Sequence, residues 1–287
     1  MTERSLVVGP AGALRGRVAV PGDKSISHRA LILGAIAQGT GQAHNFLPAA
    51  DCLATLEAVR ALGVTVEREG STGLRIEGRG LHGLAEPEDV IDCVRSGTTL
   101  RLLAGLLAGQ PFTSVLTGDP QLRRRPMARV VEPLRRMGAT VLGRDRDRYP
   151  PLTIRGGELR GIDYLLPVAS AQVKSALLLA GLLADGPTRL TVPGPARDHT
   201  ERMLRAMGAQ VSSQPPAASS NGEQGVRRRS LQEWIEIQPA HELAPLRLTI
   251  PGDISSAAFL IVAATLVAGS EVTIEGVGVN PTRVGLL

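Results

Sequence analysis

The chain has 287 residues, of which 43% are hydrophobic and 21% charged; this balance builds packed cores and excludes a disordered polypeptide. Lys and Arg number 32 against 27 Asp and Glu, leaving a formal charge of +5 that suits anionic partners. Aromatics make up only 2%, which disfavours nucleic acid as a partner, because single strands are usually gripped by stacking on aromatic rings.

In chain order, the opening segment MTERSLVVGPAGALRG lacks the basic start and apolar stretch of a signal peptide. A cytoplasmic location is expected. Residues 15–20, RGRVAV, read as a strand leading into the turn PGDKSISHR (21–29). An apolar helix, SISHRALILGAIAQG (25–39), follows, and a second helix ends at the glycine of RALGVTVE (60–67).

The same order then recurs. VIDCV (90–94) is a short β-branched strand, and SGTTLRLLAGLLAG (96–109) places Leu100, Leu103, Ala104 and Leu107 on one helical face. FTSVLTG (112–118) alternates as a strand should. Pro126 is suited to a helix start, and Val130, Val131, Leu134 and Met137 continue that helix to Gly138. ATVLG and PLTIRG form a hairpin joined by RDRDRYP.

A third copy runs from SAQVKSALLLAGLLADG (170–186) to RAMGAQVS (205–212). It carries an insert, QPPAASSNGEQGVRRRS (214–230), with the composition of a mobile hairpin loop. ISSAAFLIVAATLVAG (254–269) opens a fourth copy, which is expected to break off inside its second helix. That helix is too short to span a bilayer, so no membrane association is expected.

Gly63, Gly138 and Gly208 thus recur roughly every 70 residues. A fixed period of this kind sets the architecture. It predicts an α/β (α+β) fold: a complete domain of three βαβαββ units over residues 21–246. Residues 1–20 together with 247–287 would form an incomplete second domain of about one unit. Cys52 and Cys93 make no CxxC pair or disulfide framework and read as reduced packing residues.

The densest polar cluster lies at the first turn. A helix N-terminus exposes free N–H groups and the positive end of a dipole, and so attracts anions. Lys24, Ser25 and Arg29 add a point charge, a hydroxyl and a forked guanidinium. The same residues also fit an N-capped helix with solvated charges. SGTTLR supplies Gly97, Thr98 and Arg101 at the second turn, and SAQVKS supplies Ser170, Gln172 and Lys174 at the third. Pseudo-symmetry would bring the three helix ends together as an anion-binding basin. Arg125 and Arg197 stand at equivalent points of copies two and three, whereas Arg123 and Arg124 read equally well as solvated. The five histidines have no metal-ligand spacing. There is no GxxxxGK[ST] and no GxGxxG in a βαβ context. These absences disfavour a metal site, nucleotide-driven phosphoryl transfer and dinucleotide redox chemistry.

At PGDKSISHRA, SGTTLR, TGDPQLRRRPM, SAQVKSALLLAGL, RDHTERML and PGDISSAAF the chain resembles the 5-enolpyruvylshikimate-3-phosphate synthase family, from Arg15 to Leu287. The resemblance implies two pseudo-threefold domains closing on substrates between them. It implies transfer of the enolpyruvyl group of phosphoenolpyruvate to the 5-hydroxyl of shikimate 3-phosphate by a protein monomeric at full length, through a tetrahedral addition–elimination intermediate and without metal or organic cofactor. It assigns Lys24, Ser25, Arg29, Ser170, Ala171, Gln172 and Arg197 to shikimate 3-phosphate, and Lys24, Gly97, Arg125 and Gln172 to phosphoenolpyruvate. The proton-transfer carboxylates of the family are expected beyond Leu287. Ala171 replaces a serine of many members, and Gly97 stands where glyphosate-insensitive members often carry Ala, which implies ordinary glyphosate sensitivity. Two alternatives remain: a fragment that binds shikimate 3-phosphate without turnover, and the sister transferase acting on UDP-N-acetylglucosamine. The second is disfavoured by Lys-Ser in place of Lys-Asn and by the absence of its loop cysteine.

Overall fold

The helices that start at Lys24, Gly97, Ala171 and Ile254 each begin where a polar side chain takes up a free backbone N–H. The protein is represented by a computed structural model that describes residues 9–10, 12–214 and 232–287. Past Gln214, the insert expected over 214–230 lies outside the described residues.

β1 (Arg15–Ala19) leads into α1 (Lys24–Ala35), β2 (Gln38–His44), α2 (Ala50–Ala61), β3 (Thr65–Glu69) and β4 (Gly73–Arg79). The second unit comprises β5 (Ile91–Asp92), α3 (Gly97–Leu107), β6 (Thr113–Thr117), α4 (Ala128–Met137), β7 (Thr140–Gly143), the short turn α5 (Arg144–Asp147) and β8 (Tyr149–Arg155). The third comprises β9 (Asp163–Leu165), α6 (Ala171–Gly181), β10 (Thr188–Val192), α7 (His199–Ala206), β11 (Val211–Gln214) and β12 (Glu233–Ile237). β13 (Arg247–Thr249), α8 (Ile254–Leu266) and β14 (Glu271–Glu275) follow.

Three four-stranded sheets share one pattern: β13–β2–β4–β3, β5–β6–β8–β7 and β9–β10–β12–β11. In each, the first pair is parallel and the other two antiparallel. This is the expected pseudo-threefold α/β (α+β) repeat. The first unit takes its parallel strand from far along the chain: Arg247 pairs with Gln42 and Thr249 with His44. Residues 247–249, which the sequence reading groups with the remainder, therefore belong to the first sheet. Without them β2 would present an open edge.

The second helices stop at glycines for a backbone reason. Gly138 has φ 113°, and Gly63 and Gly208 are also left-handed, a conformation glycine adopts without steric cost. The helix start predicted at Pro126 lies two residues late of the prediction. Met127 is fully buried and its N–H donates to the Arg148 carbonyl at 2.8 Å, so α4 begins only at Ala128.

α1, α3 and α6 are the centre of the molecule. Most of their residues are buried all round, including Leu31, Ile32, Leu100, Leu103, Leu177 and Leu178. Helices this apolar carry no polar face. α3 and α6 pack backbone to backbone: a Cβ on Gly105 would lie 2.0 Å from the Ala176 carbonyl oxygen. Cys52 and Cys93 sit in this core. Burial raises both thiols, that of Cys52 to about 12.

β1 and β14 form a separate parallel pair. With α8 they enclose a small cluster of Val20, Ile254 and Ala257. Leu260 and Ile261 of α8 pack against this cluster, whereas Phe259 is 80% and Leu266 79% exposed. The second helix expected in the fourth copy does not form: residues 276–287 run in turns. They are fastened by side chains instead, Asn280 donating to Asp198 at 2.6 Å and Arg283 pairing with Asp253 at 3.3 Å. Among the described residues, no helix is long and apolar enough to cross a membrane.

Candidate functional site

The three central helices start at one place. Asp23 caps α1 by accepting the Ile26 N–H at 2.9 Å. Ser96 caps α3 through Thr99 N–H at 3.1 Å, and Ser170 caps α6 through Val173 N–H at 3.4 Å. The first residues of these helices, Lys24, Gly97 and Ala171, all line a cavity of about 240 Å³. Three helix N-termini at one cavity make a field that favours anions.

The side chains around it are mostly cationic. Among the described residues, Lys24, Arg29, Arg125 and Arg197 line the cavity against one carboxylate, Asp51. Lys24 Nζ lies 2.5 Å from Asp51 Oδ2. Arg197 Nη1 donates to Ser25 Oγ at 3.0 Å, which joins the third unit to the first turn. Arg29 is 4% exposed and its guanidinium is held inside the protein. Burial pulls its pKa down to about 10, with Glu201 opposing, so it stays charged at neutral pH.

Gln172 is held at both ends of its amide. Its Oε1 accepts from Arg101 Nη1 at 2.6 Å, and its Nε2 donates to Thr98 Oγ1 at 2.8 Å. Arg125 emerges just after the turn Leu122–Arg124. A Cβ on Gly97 would sit 2.8 Å from Arg101 Nη1 and 3.2 Å from Arg125 Nη1. Only a glycine leaves this wall open without moving an arginine.

Nine of the candidates named from sequence are Lys24, Ser25, Arg29, Gly97, Arg125, Ser170, Ala171, Gln172 and Arg197, and all but Ser170 line this one cavity. Ser170 serves as the cap behind the wall. Lys174, read from sequence as part of the basin, points the other way. It is fully buried, 2.5 Å from Glu201 and 3.9 Å from Glu233. A buried ammonium needs such partners. Arg123 and Arg124 are exposed, apart from the cavity.

Sequence reading missed Asp51. Its signal is an acidic residue in the first turn of α2. It also missed the hydroxyls beneath the floor. His28 Nδ1 lies 2.6 Å from Thr55 Oγ1, which is 2.6 Å from Thr99 Oγ1, which donates to Ser96 Oγ at 2.7 Å. This buried chain ties α1 and α2 to the cap of α3. Polar residues inside apolar helices are the sequence signal for such a chain.

Chemically, the cavity is built to hold small molecules with several negative charges. The EPSP synthase (3-phosphoshikimate 1-carboxyvinyltransferase) family profile matches residues 8–287. The 3-phosphoshikimate 1-carboxyvinyltransferase of Geobacter sulfurreducens is 56% identical over 283 residues, covering 99% of this chain and 62% of that protein. The enzyme of that name from Desulforamulus reducens is 53% identical over 282 residues, again covering 62% of its length. A solved EPSP synthase structure from Acinetobacter baumannii superposes with a TM-score of 0.85 at 46% identity, over 96% of this chain and 59% of that one. The chain thus spans somewhat under two thirds of the length of these relatives.

Proposed function

The chain belongs to the EPSP synthase (3-phosphoshikimate 1-carboxyvinyltransferase) family, and from that membership we propose that its cavity binds shikimate 3-phosphate and phosphoenolpyruvate for enolpyruvyl transfer. In this reaction the 5-hydroxyl gives up its proton as its oxygen bonds to C2 of phosphoenolpyruvate, and C3 gains a proton. Loss of a C3 proton then expels inorganic phosphate and leaves the enol ether. The observation that carries the reading is the convergence of three helix N-termini and four cationic side chains on one cavity.

Within it, Lys24, Ser25, Arg29, Ala171, Gln172 and Arg197 hold shikimate 3-phosphate, with Ser170 acting through its cap on α6. Lys24, Gly97, Arg125 and Gln172 hold phosphoenolpyruvate, so Lys24 and Gln172 touch both. The helix ends and arginines stabilise phosphate and carboxylate charge, for which Arg is suited by its forked geometry. We further propose that the three-unit body is a domain distinct from the β1–α8–β14 unit. The separation of the large core cluster from the small one around Val20 supports this division. The same reading makes the full-length protein a cytoplasmic monomer that acts on small anions, not on nucleic acid or membranes.

One observation favours a second reading, in which this chain binds without turnover. The sole carboxylate lining the cavity among the described residues, Asp51, is tied to Lys24. Loss of general acid–base groups lowers rates by roughly 10²–10⁴-fold. A coupled phosphate-release assay with both substrates separates the readings: measurable turnover supports transfer by this chain, and binding without phosphate release supports the second.

A further inference from the structure

Arg29 does not stand alone in the cavity wall. Its Nε donates to Thr200 Oγ1 at 2.6 Å, its Nη2 to Ser175 Oγ at 2.7 Å, and its Nη1 to the Ser25 carbonyl at 2.9 Å. Arg29 is on α1, Ser175 on α6 and Thr200 on α7, so two units meet at one guanidinium. Ser175 is 0% and Thr200 1% exposed, and neither lines the cavity.

The protons in this cluster have one consistent arrangement. A hydroxyl donates once and accepts twice. Ser175 Oγ spends its proton on the Ala171 carbonyl at 2.6 Å. The 2.7 Å contact between Ser175 and Thr200 must then run from the Thr200 hydroxyl to Ser175. Ser175 is thereby saturated, with one proton given and two accepted. Thr200 gives one and takes one. Three of the five guanidinium N–H groups are committed, and two remain for a ligand.

We propose that Ser175 and Thr200 are positioning residues that fix the direction of the Arg29 guanidinium and so set the affinity of the cavity for its anionic ligand without touching it. The same two hydroxyls link Arg29 to Ala171 at the start of α6, so the first and third anion-binding turns are held in one orientation. For its ligand this inference rests on the shikimate 3-phosphate reading above; the geometry of Arg29 itself does not.

The test has two arms on the whole chain. In the first, the Arg29 Nε–H resonance is followed by ¹⁵N NMR without ligand, assigned by its loss in Arg29→Lys. It is expected to be narrow and slow to exchange in the parent, to lose that protection in Thr200→Val, and to keep it in Thr200→Ser. In the second arm, titration calorimetry with shikimate 3-phosphate is expected to show about a tenfold loss of affinity in Thr200→Val and recovery in Thr200→Ser. In an Arg29→Lys background Thr200→Val should cost nothing more, because the two act through one group. Ser175→Ala reads the same network through Nη2 if Thr200→Val does not fold. An Nε–H unchanged by loss of the hydroxyl, or a full additional loss in the Arg29→Lys background, overturns the proposal. A parent chain that binds no shikimate 3-phosphate while its Nε–H still responds overturns the ligand reading and leaves the positioning role standing.

Discussion

Lowering the pH should destabilise this fold through His28. The ring is fully buried under the cavity, with Nδ1 2.6 Å from Thr55 Oγ1 and, among the described residues, no partner for Nε2. Burial first, then the charges of Arg29 and Lys24, lower its pKa from 6.5 to about 3. The unfolded chain therefore binds a proton that the folded chain refuses. Stability is fully present above pH 6.5 and is lost as the pH falls from there toward about 3. Each pH unit in that window costs about 1.4 kcal/mol. At pH 4.5 the loss is roughly 3 kcal/mol, a large part of the 5–15 kcal/mol typical of a folded protein. Urea unfolding of the parent and of His28→Leu at pH 7.5 and 4.5 measures it. The parent should lose about 3 kcal/mol more than the variant. His199, which burial lowers to about 4, titrates in the same direction in both chains and cancels. An imidazole NMR titration of His28 centred near 6.5, or equal acid losses in the two chains, would refute the reasoning.

Three other outcomes follow from the geometry. Gly97→Ala should weaken phosphoenolpyruvate binding about tenfold or more while largely sparing shikimate 3-phosphate, because its Cβ would press on Arg101 and Arg125; paired calorimetric titrations check this. Gly105→Ala should destabilise the chain by roughly 1–3 kcal/mol or prevent folding, since the added carbon meets the Ala176 backbone; the urea midpoint reports it. Phe259→Lys with Leu266→Lys should reduce self-association, because both side chains are mostly exposed on one short apolar helix; sedimentation velocity at increasing concentration would show the parent associating and the variant not.

The repeat was legible because it rests on local chemistry. Capping residues Asp23, Ser96 and Ser170 and the left-handed stops at Gly63, Gly138 and Gly208 are each specified within a few residues. Convergence of the first turns follows from pseudo-symmetry, so the sequence pattern alone points to Lys24, Gly97 and Gln172 as neighbours. The features not legible depend on pairing across long separations. β13 closes the first sheet against β2, about two hundred residues earlier. Lys174 follows the same turn as Gln172, but the helical rotation sends it into the core, where Glu201 of α7 awaits it. Asp51 is an unremarkable first-turn acid until α2 lies beside Lys24. The fourth copy departs from the period: residues 276–287 run in turns and attach through Asn280 and Arg283.

We propose that three helix ends and four cations make one site for a small acid that carries both a carboxylate and a phosphate. Titration calorimetry of the purified chain with shikimate 3-phosphate, repeated on Arg197→Ala and with UDP-N-acetylglucosamine as the competing ligand, tests it most directly. The account predicts a single saturable site for shikimate 3-phosphate, weakened about tenfold or more in Arg197→Ala, and no binding of the nucleotide sugar. Absence of binding, or binding that ignores Arg197, would contradict it.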